Sequence, residues 1–213
     1  MSLFNDTSLF SQGPPGKINY DPEDASLVLL ESFFTKEESD KFYESLLAKT
    51  EWKTSQIIIY GKLHDTPRLT AWYGDAGKNY TFSGTTRITT PWTPDLLLIK
   101  EKIDKEAGVT FNSVLLNLYR SGKDSVGWHR DNEKEFGNNP IIASVSFGET
   151  RPFQLKHKFK KEIEKINIPL THGSLLIMKG STQHYWEHQI PKTTKDVRPR
   201  INLTFRIIKT TKF

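Results

Sequence analysis

The sequence predicts a mainly β protein of the α+β class, with a double-stranded β-helix (jelly-roll) core and two N-terminal helices packed outside it. Three observations support this class. Many short β-type segments, separated by Gly, Pro and Asn turns, follow residue 111. Two amphipathic helical patterns precede most of these segments. The 213 residues also suffice for one domain with a sizeable core.

Capping signals predict where the two helices begin and end. Thr35 and Glu38 have the spacing of a capping box, and apolar side chains at helical spacing continue this helix to about Lys49. The second helix begins after Thr93 with a proline at its first position, and Gly108 ends it. One side of each helix is apolar, so we expect both helices to pack against the β core.

Short apolar or alternating runs predict the strands. One run covers residues 26–34, before the first helix. The later candidates are residues 111–119, 126–131, 141–147, 153–158, 163–168, 174–178, 185–190 and 201–208. Residues 1–24 contain Gly-Pro-Pro-Gly and Asp-Pro, which are typical of turns and extended chain. We therefore expect an unpacked N-terminal arm over residues 1–24 and a single domain over residues 25–213.

The composition restricts the possible chemistry. The chain has no cysteine, which excludes disulfides, a thiol nucleophile and a cysteine-ligated metal. The net charge is +5, but the first 50 residues hold four lysines against nine acids, so the remainder carries +10. Such a surplus is typical of proteins that bind polyanions, although it serves solubility equally well.

The sequence shows no membrane or secretory signal. No apolar run approaches the roughly 20 residues of a membrane span, and no basic segment precedes the apolar residues of the N-terminus. We therefore expect a cytoplasmic protein, or a nuclear one if the source is eukaryotic, with no membrane partner. We also expect a monomer.

With cysteine absent, any metal must be held by His, Asp or Glu. His129-Arg130-Asp131 suits this role, because residues i and i+2 of a strand face the same side. A histidine from a distant strand would complete a two-His, one-carboxylate triad, the geometry of non-haem Fe(II) oxygenases. His184 and His188 both qualify, since their spacing places them on one side of a strand. A hydrogen-bonded His–Asp pair on the surface is the simpler alternative.

Two arginines indicate an anionic ligand. Arg200 and Arg206 share one face of the last predicted strand, with Thr204 between them. Inward-pointing arginines are costly in a barrel unless an anion pairs with them, and a guanidinium can bind a carboxylate through two hydrogen bonds. The pair favours a dicarboxylate cosubstrate or an acidic partner group, and a solvated polar face is the alternative.

These residues, in this order and with Asn117-Leu118-Tyr119 before them, resemble the signature of AlkB-type Fe(II)/2-oxoglutarate-dependent nucleic-acid dealkylases. The resemblance is greatest to the duplex-DNA alkylation-repair branch and covers roughly residues 25–208. It implies an enzyme, a dioxygenase that uses Fe(II), 2-oxoglutarate and O2.

The resemblance also implies roles for individual residues at the iron and cosubstrate sites. It makes three residues both the metal ligands and the catalytic centre: His129, Asp131 and His188. The implied 2-oxoglutarate contacts are Asn117, Tyr119, Arg200, Thr204 and Arg206. In this assignment Arg206 pairs with the distal carboxylate and Arg200 supports it.

A nucleotide-recognition lid is implied over about residues 55–90. Tyr60 would fill the gap left by an extruded base, with Gly61 and Lys62 beside the nucleic-acid backbone. The segment that stacks on the base would comprise Tyr80, Thr81 and Phe82. By periodicity alone, Tyr60, Gly61 and Lys62 would belong to a buried edge strand. Tyr80 and Phe82 would be ordinary core residues.

Further nucleic-acid contacts are implied outside the stacking segment. Arg68 resembles a phosphate or orphan-base contact, and Asn132 and Glu133 lie where the family contacts base or backbone. Five lysines between residues 156 and 165 correspond to a loop that can grip the opposite strand, and a solvated basic loop is an equal alternative.

The implied activity is oxidative demethylation of N-alkylated bases in methylated DNA, such as 1-methyladenine and 3-methylcytosine. Decarboxylation of 2-oxoglutarate is coupled to hydroxylation of the methyl group, which is released as formaldehyde. One alternative is a 2-oxoglutarate oxygenase that acts on RNA. The other is a non-catalytic protein that binds damaged nucleic acid, although the complete triad and the paired arginines speak against it.

Overall fold

The computed structural model of this chain describes residues 10–12, 16–59, 62–77, 80–82, 85–87 and 89–209, with only the backbone described for 10–12, 57–59, 62–63, 80–82 and 85–87. Its helices are α1 (Lys36–Lys49), α2 (Pro94–Ala107) and α3 (Thr182–Tyr185). Its first seven strands are β1 (Phe10–Gln12), β2 (Lys17–Tyr20), β3 (Ser26–Leu30), β4 (Lys53–Ile59), β5 (Lys62–Gly74), β6 (Tyr80–Phe82) and β7 (Thr85–Arg87). The remaining strands are β8 (Ser113–Tyr119), β9 (Val126–His129), β10 (Ile142–Gly148), β11 (Arg151–His157), β12 (Ile166–Leu170), β13 (Ser174–Lys179), β14 (Trp186–Ile190) and β15 (Arg200–Arg206).

Two antiparallel sheets form the body of the fold. The larger sheet has the order β1-β2-β3-β13-β10-β15-β8-β5-β4, and the smaller has the order β12-β11-β14-β9. A separate hairpin pairs β6 with β7. An apolar cluster joins the two sheets, with Tyr119 and Leu176 from the larger sheet and Leu155, Trp186 and Ile190 from the smaller. The predicted fold class, a mainly β jelly roll, is confirmed.

Helices α1 and α2 cover the outer face of the larger sheet. Both sides of the capping box are formed at Thr35, and Gly108 ends α2 in a left-handed conformation. The helices contribute Phe42, Leu46 and Ile99 to an apolar cluster with the sheet. Because this cluster covers one face of the sheet, the opposite face is left to line the interior between the sheets.

Strands β8 and β15 are buried on both faces, and their side chains alternate accordingly. Leu116 and Leu118 lie in the cluster with the helices, whereas Asn117 and Tyr119 line the cavity between the sheets. β15 alternates in the same way, with Leu203 in the helix cluster. The two-residue period of a strand therefore separates the structural residues from the polar ones.

The structure differs from the predicted strands at the site and at the N-terminus. The strand predicted over residues 126–131 ends at residue 129, so Asp131 lies beyond the ladder. The strand predicted over residues 185–190 begins at Trp186, because residues 182–185 form α3. Within the expected arm, β2 pairs with β3 and buries Tyr20, so part of that segment is packed.

Gly148 is required by close packing beside β15. Its φ is +88°, and an added Cβ would lie 2.5 Å from the carbonyl oxygen of Pro199. Gly108 also has a positive φ of +68°, but nothing lies within 4 Å of an added Cβ there. A comparison of alanine substitutions at the two glycines therefore separates the cost of the left-handed backbone from the cost of steric overlap.

We predict that Gly148→Ala destabilises the protein far more than Gly108→Ala. The second change carries only the left-handed backbone cost of about 1–2 kcal/mol, whereas the first adds overlap for a total of about 2–5 kcal/mol. Urea unfolding of both variants measures the difference. Equal losses would contradict the close approach of Pro199.

Candidate active site

His129 and His188 meet across neighbouring strands of the smaller sheet. They are direct partners in the β9–β14 pairing, and their ring centroids are 4.3 Å apart. Asp131 follows two residues after the end of β9. One ligand atom from each of the three residues lies within 4.8 Å of the others. The structure therefore brings together the three residues predicted to bind iron.

The surroundings of both imidazoles suit metal binding. His129 Nδ1 lies 2.8 Å from the carbonyl oxygen of Gly127, which can only accept, so Nδ1 carries the proton and Nε2 has a free lone pair. His188 stacks on Phe153 with ring centroids 5.0 Å apart. Burial and the neighbouring His129 lower the pKa of His188 to about 3, so its ring is neutral at neutral pH.

Asp131 is a buried carboxylate held by a buried arginine. Arg206 donates to Asp131 Oδ2 from Nη2 at 2.9 Å and from Nε at 3.2 Å. Burial alone would raise the pKa of Asp131, but the positive charge around it, that of Arg206 foremost, lowers that pKa. The carboxylate is therefore ionised, and Arg206 occupies only Oδ2, which leaves Oδ1 for a metal ion.

The triad opens into a small cavity between the sheets. Three arginines line this cavity: Arg68, Arg200 and Arg206. Against these three positive charges the lining contains one carboxylate, that of Asp131. A cavity with this excess of positive charge attracts anions, and a dianion would balance it.

Arg200 is the guanidinium with unused donors. It is 1% exposed, and Nη2 donates to Ser146 Oγ at 2.8 Å. Nε and Nη1 have no hydrogen-bond partner in the described part of the chain. Burial lowers the pKa of Arg200 to about 10, while the nearby Tyr119 opposes this shift, so the group stays charged at neutral pH. A carboxylate oxygen that accepts from Nη1 would satisfy one of these orphaned donors, and so a carboxylate such as that of 2-oxoglutarate suits the site.

The contacts of the two arginines favour a different division of roles from the one expected. The resemblance assigned Arg206 to the distal carboxylate of 2-oxoglutarate and Arg200 to a supporting role. In the structure Arg206 is already bonded to Asp131, whereas Arg200 retains two free donors. A guanidinium that already holds a buried carboxylate has fewer donors for a second one, which would favour Arg200 as the partner of the distal carboxylate.

Arg68 and Asn117 form a second fixed element of the cavity wall. Arg68 Nε donates to Asn117 Oδ1 at 2.7 Å, and its Nη1 donates to the carbonyl oxygen of Ser125 at 3.3 Å. Because Asn117 Oδ1 accepts from Arg68, the amide orientation is fixed and Nδ2 is the remaining donor. The expected contact of Arg68 with phosphate or an orphan base stays a prediction, and Nε and Nη1 of its guanidinium are bonded within the wall.

The structure describes the other predicted substrate residues only in part. Tyr60 and Gly61 lie outside the described residues, and β5 begins at Lys62, of whose side chain nothing is described. Tyr80, Thr81 and Phe82 form β6, described by backbone alone. Asn132 is exposed and Glu133 is half-buried, directly after Asp131.

The basic stretch over residues 156–165 is partly neutralised. Lys156 pairs with Glu187 at 3.2 Å, and Lys160 pairs with Glu23. Lys158 instead lies over the ring of Phe159, which is 61% exposed. The cationic surface of this hairpin is therefore smaller than the number of its lysines indicates.

Several polar side chains that hold the residues of the site in place were not predicted from the sequence. The polar face of β10 supplies Ser144 and Ser146, which bond to Asn202 and Arg200. Both serines occur at alternate positions in a buried strand, a signal that could have revealed a polar inner face. Gln183 had no such signal, because it lies in the short helix α3.

A jelly roll with two histidines and one carboxylate beside a cationic cavity defines the class of non-haem iron oxygenases that use a 2-oxo acid. The model of the 2OG-Fe(II) oxygenase superfamily matches residues 26–206, so the chain belongs to this family. The resemblance stated from the sequence is thereby confirmed. Fe(II), 2-oxoglutarate and O2 are the cofactor and cosubstrates of this chemistry.

Curated relatives give a finer comparison. The chain is 44% identical to the alpha-ketoglutarate-dependent dioxygenase alkB homolog 3 of Bos taurus over 201 residues, which are 90% of this chain and 70% of that protein. It is 41% identical to the DNA oxidative demethylase ALKBH2 of Homo sapiens over 212 residues, 95% of this chain and 80% of that protein.

A solved structure supports the fold. The structure of OsALKBH1 aligns with a TM-score of 0.62 at 16% identity and covers 93% of this chain and 99% of its own. Separately, none of the helices in the described residues is long and apolar enough to cross a membrane.

We predict different defects for Arg200→Met and Arg206→Met. Arg200→Met removes the free guanidinium, so KM for 2-oxoglutarate rises about 30-fold or more while Co2+ affinity changes little. Arg206→Met leaves Asp131 as an unpaired buried charge, which lowers the free energy of unfolding by about 3–5 kcal/mol and weakens Co2+ binding. Steady-state kinetics, Co2+ titration and urea unfolding measure these effects. The same pattern of defects in both variants would refute the assigned roles.

The loop between Tyr119 and β9 is held by an ion pair that titrates in acid. Asp124 is buried and accepts from Arg120 Nε at 2.8 Å and Nη2 at 3.0 Å. Burial alone would raise the pKa of Asp124, but the bonds from Arg120 outweigh it and hold this pKa below the usual 3.8. A lowered folded pKa contributes stability above the unfolded pKa, and this contribution is lost as pH falls through the folded value.

We therefore predict that Asp124→Asn destabilises the protein by about 1 kcal/mol at pH 7, since the half-exposed Arg120 limits the strength of the pair. The difference between wild type and variant should shrink below about pH 4. Urea unfolding across this range tests the prediction, with Asp196→Asn at an exposed position as control. A constant difference down to pH 2 would contradict it.

Proposed function

We propose that this chain is an oxidative demethylase that repairs N-methylated bases in DNA. The observation that carries the proposal is the His129, Asp131 and His188 triad beside the free guanidinium of Arg200, in a chain closely similar to a relative named as a DNA oxidative demethylase. The proposed substrates are cationic lesions such as 1-methyladenine and 3-methylcytosine.

The roles of the protein residues follow from their contacts. His129, Asp131 and His188 would hold Fe(II) on one side and leave its other positions open. When bound, the metal and 2-oxoglutarate together supply O2 activation, in which decarboxylation yields succinate and CO2 and the second oxygen atom hydroxylates the N-methyl group. The resulting hydroxymethyl group leaves as formaldehyde and restores the base.

The cavity walls orient the cosubstrate and exclude water. Arg200 would pair with the distal carboxylate, and Asn117 Nδ2 and the Tyr119 hydroxyl are further donors on the same wall. Phe153 and Leu170 of the smaller sheet give the opposite wall an apolar part. This wall keeps bulk water from the reacting centre, which strengthens the ionic contacts inside.

The substrate side follows from the position of the loop after Asp131. Glu133 lies two residues after that ligand, so its carboxylate is a suitable partner for a cationic methylated base. Residues 55–90 would form the lid, with Tyr60 as the wedge and Tyr80, Thr81 and Phe82 against the base. Lys158 and the exposed Phe159 would add contacts to the nucleic-acid backbone.

The proposal takes residues 25–213 as one dioxygenase domain that acts as a monomer, in the cytoplasm or in the nucleus of a eukaryote. The segment before residue 25 contributes β2 to the larger sheet and has no catalytic role in this proposal.

We predict that the purified protein, with Fe(II), ascorbate and 2-oxoglutarate, releases formaldehyde and succinate from a 3-methylcytosine oligonucleotide. The double variant His129→Ala, Asp131→Ala should lose at least about 1,000-fold in rate, because removing two of three ligands abolishes metal binding. His172→Gln is the control and should retain activity, since His172 lies beside Asp40 of α1 and outside the triad.

The same assay decides between substrates. Single-stranded DNA, duplex DNA and RNA carrying the same lesion are compared, with an unmethylated oligonucleotide as blank. Equal repair by the double variant would refute the site, and turnover of RNA alone would refute the DNA substrate. Binding of the methylated oligonucleotide without any turnover would indicate a non-catalytic binding protein.

A further inference from the structure

Asp131 lies outside the sheet, so its backbone must be held by other means. β9 ends at His129, and no partner strand stands opposite the N–H of Asp131 in the described pairing. That N–H instead donates to Gln183 Oε1 at 2.9 Å. Because a backbone N–H can only donate, the amide oxygen must face Asp131 and the orientation of the Gln183 side chain is fixed.

Packing alone would not favour a polar side chain at the buried position of Gln183. It is 0% exposed, and its Nε2 donates to Met178 Sδ at 3.4 Å. A thioether is a weak acceptor, so one half of this buried amide is poorly satisfied. An apolar side chain of the same length would avoid that cost. The bond to Asp131 is the favourable contact that a glutamine gains here.

The short helix α3 holds the same loop at two more points. Arg130 Nη1 donates to the carbonyl oxygen of His184 at 2.8 Å, and the N–H of Asn139 contacts His184 Nε2 at 3.4 Å. These contacts lie on both sides of Asp131 along the chain. The loop that carries the carboxylate ligand is therefore seated on α3 rather than on a strand.

We propose that Gln183 is a positioning residue for the metal ligand Asp131. Gln183 fixes the backbone of Asp131, while Arg206 fixes its carboxylate, so the ligand is held at both ends. This inference rests on the metal site of the proposed function and extends it by one residue. Groups that orient metal ligands typically change metal affinity by about 10–100-fold when removed.

The test is Co2+ titration of the metal-free protein, followed by the visible absorption of the bound ion. Gln183→Met keeps the length of the side chain and removes the acceptor, so Co2+ should bind about 10-fold more weakly or worse. Gln189→Met is the matched control. It makes the same substitution one residue from His188, but Gln189 Nε2 donates to Gln154 Oε1 at 2.7 Å instead. Its Co2+ affinity should stay within about threefold of wild type.

Equal Co2+ affinity of wild type and Gln183→Met would overturn the proposal, and so would an equal loss in both variants. A second measurement needs no variant and decides the matter if Gln183→Met does not fold. Amide hydrogen exchange of the metal-free wild type should show the Asp131 N–H protected, although it lies outside any strand. Exchange at the rate of an exposed amide would overturn the proposal.

The outcomes also separate this inference from the proposed function. A wild-type protein that binds no Co2+ would refute both the metal site and the role of Gln183. A wild-type protein that binds Co2+ but does not demethylate any oligonucleotide would refute the demethylase function alone. Normal demethylation together with an unprotected Asp131 amide would refute the positioning role alone.

Discussion

The buried ion pair between Arg206 and Asp131 is the contact on which the rest of the site depends. The side chains are 8% and 6% exposed, so neither charge has water as an alternative partner. Removing one member of such a pair costs about 3–5 kcal/mol, because the other charge stays buried and unpaired. The pair joins the central strand β15 of the larger sheet to the loop after β9 of the smaller one. The same contact therefore links the two sheets and orients the metal ligand.

A second constraint explains how the protein tolerates three arginines in one cavity. Strands β8 and β15 direct apolar residues such as Leu116 and Leu203 to the helices, where they join the apolar cluster. Their alternate positions carry Asn117, Arg200 and Arg206 into the cavity. The helix-facing positions of these two strands are thus apolar, while their cavity-facing positions carry charges that an anion is needed to balance.

Most of the features that could be predicted from the sequence depend on patterns within a few neighbouring residues. The capping box at Thr35 is a signal within a few residues, and the structure has it. The spacing of His129 and Asp131 predicted two neighbouring ligands, and the structure brings their ligand atoms together although the strand ends at His129. The roles of Arg200 and Arg206 could not be predicted from spacing, because the partner of Arg206 lies 75 residues away in the chain. The seating of Asp131 on α3 is also a tertiary contact, since it depends on where β9 ends.

The most direct test of this account is anomalous diffraction from a crystal grown without oxygen in the presence of Mn2+ and 2-oxoglutarate. The account predicts a single protein-bound manganese peak at ligating distance from His129, Asp131 and His188. It also predicts the distal carboxylate of 2-oxoglutarate on Arg200, with Arg206 still bonded to Asp131. A manganese ion bound by His184, or a distal carboxylate on Arg206 with Asp131 released, would contradict it.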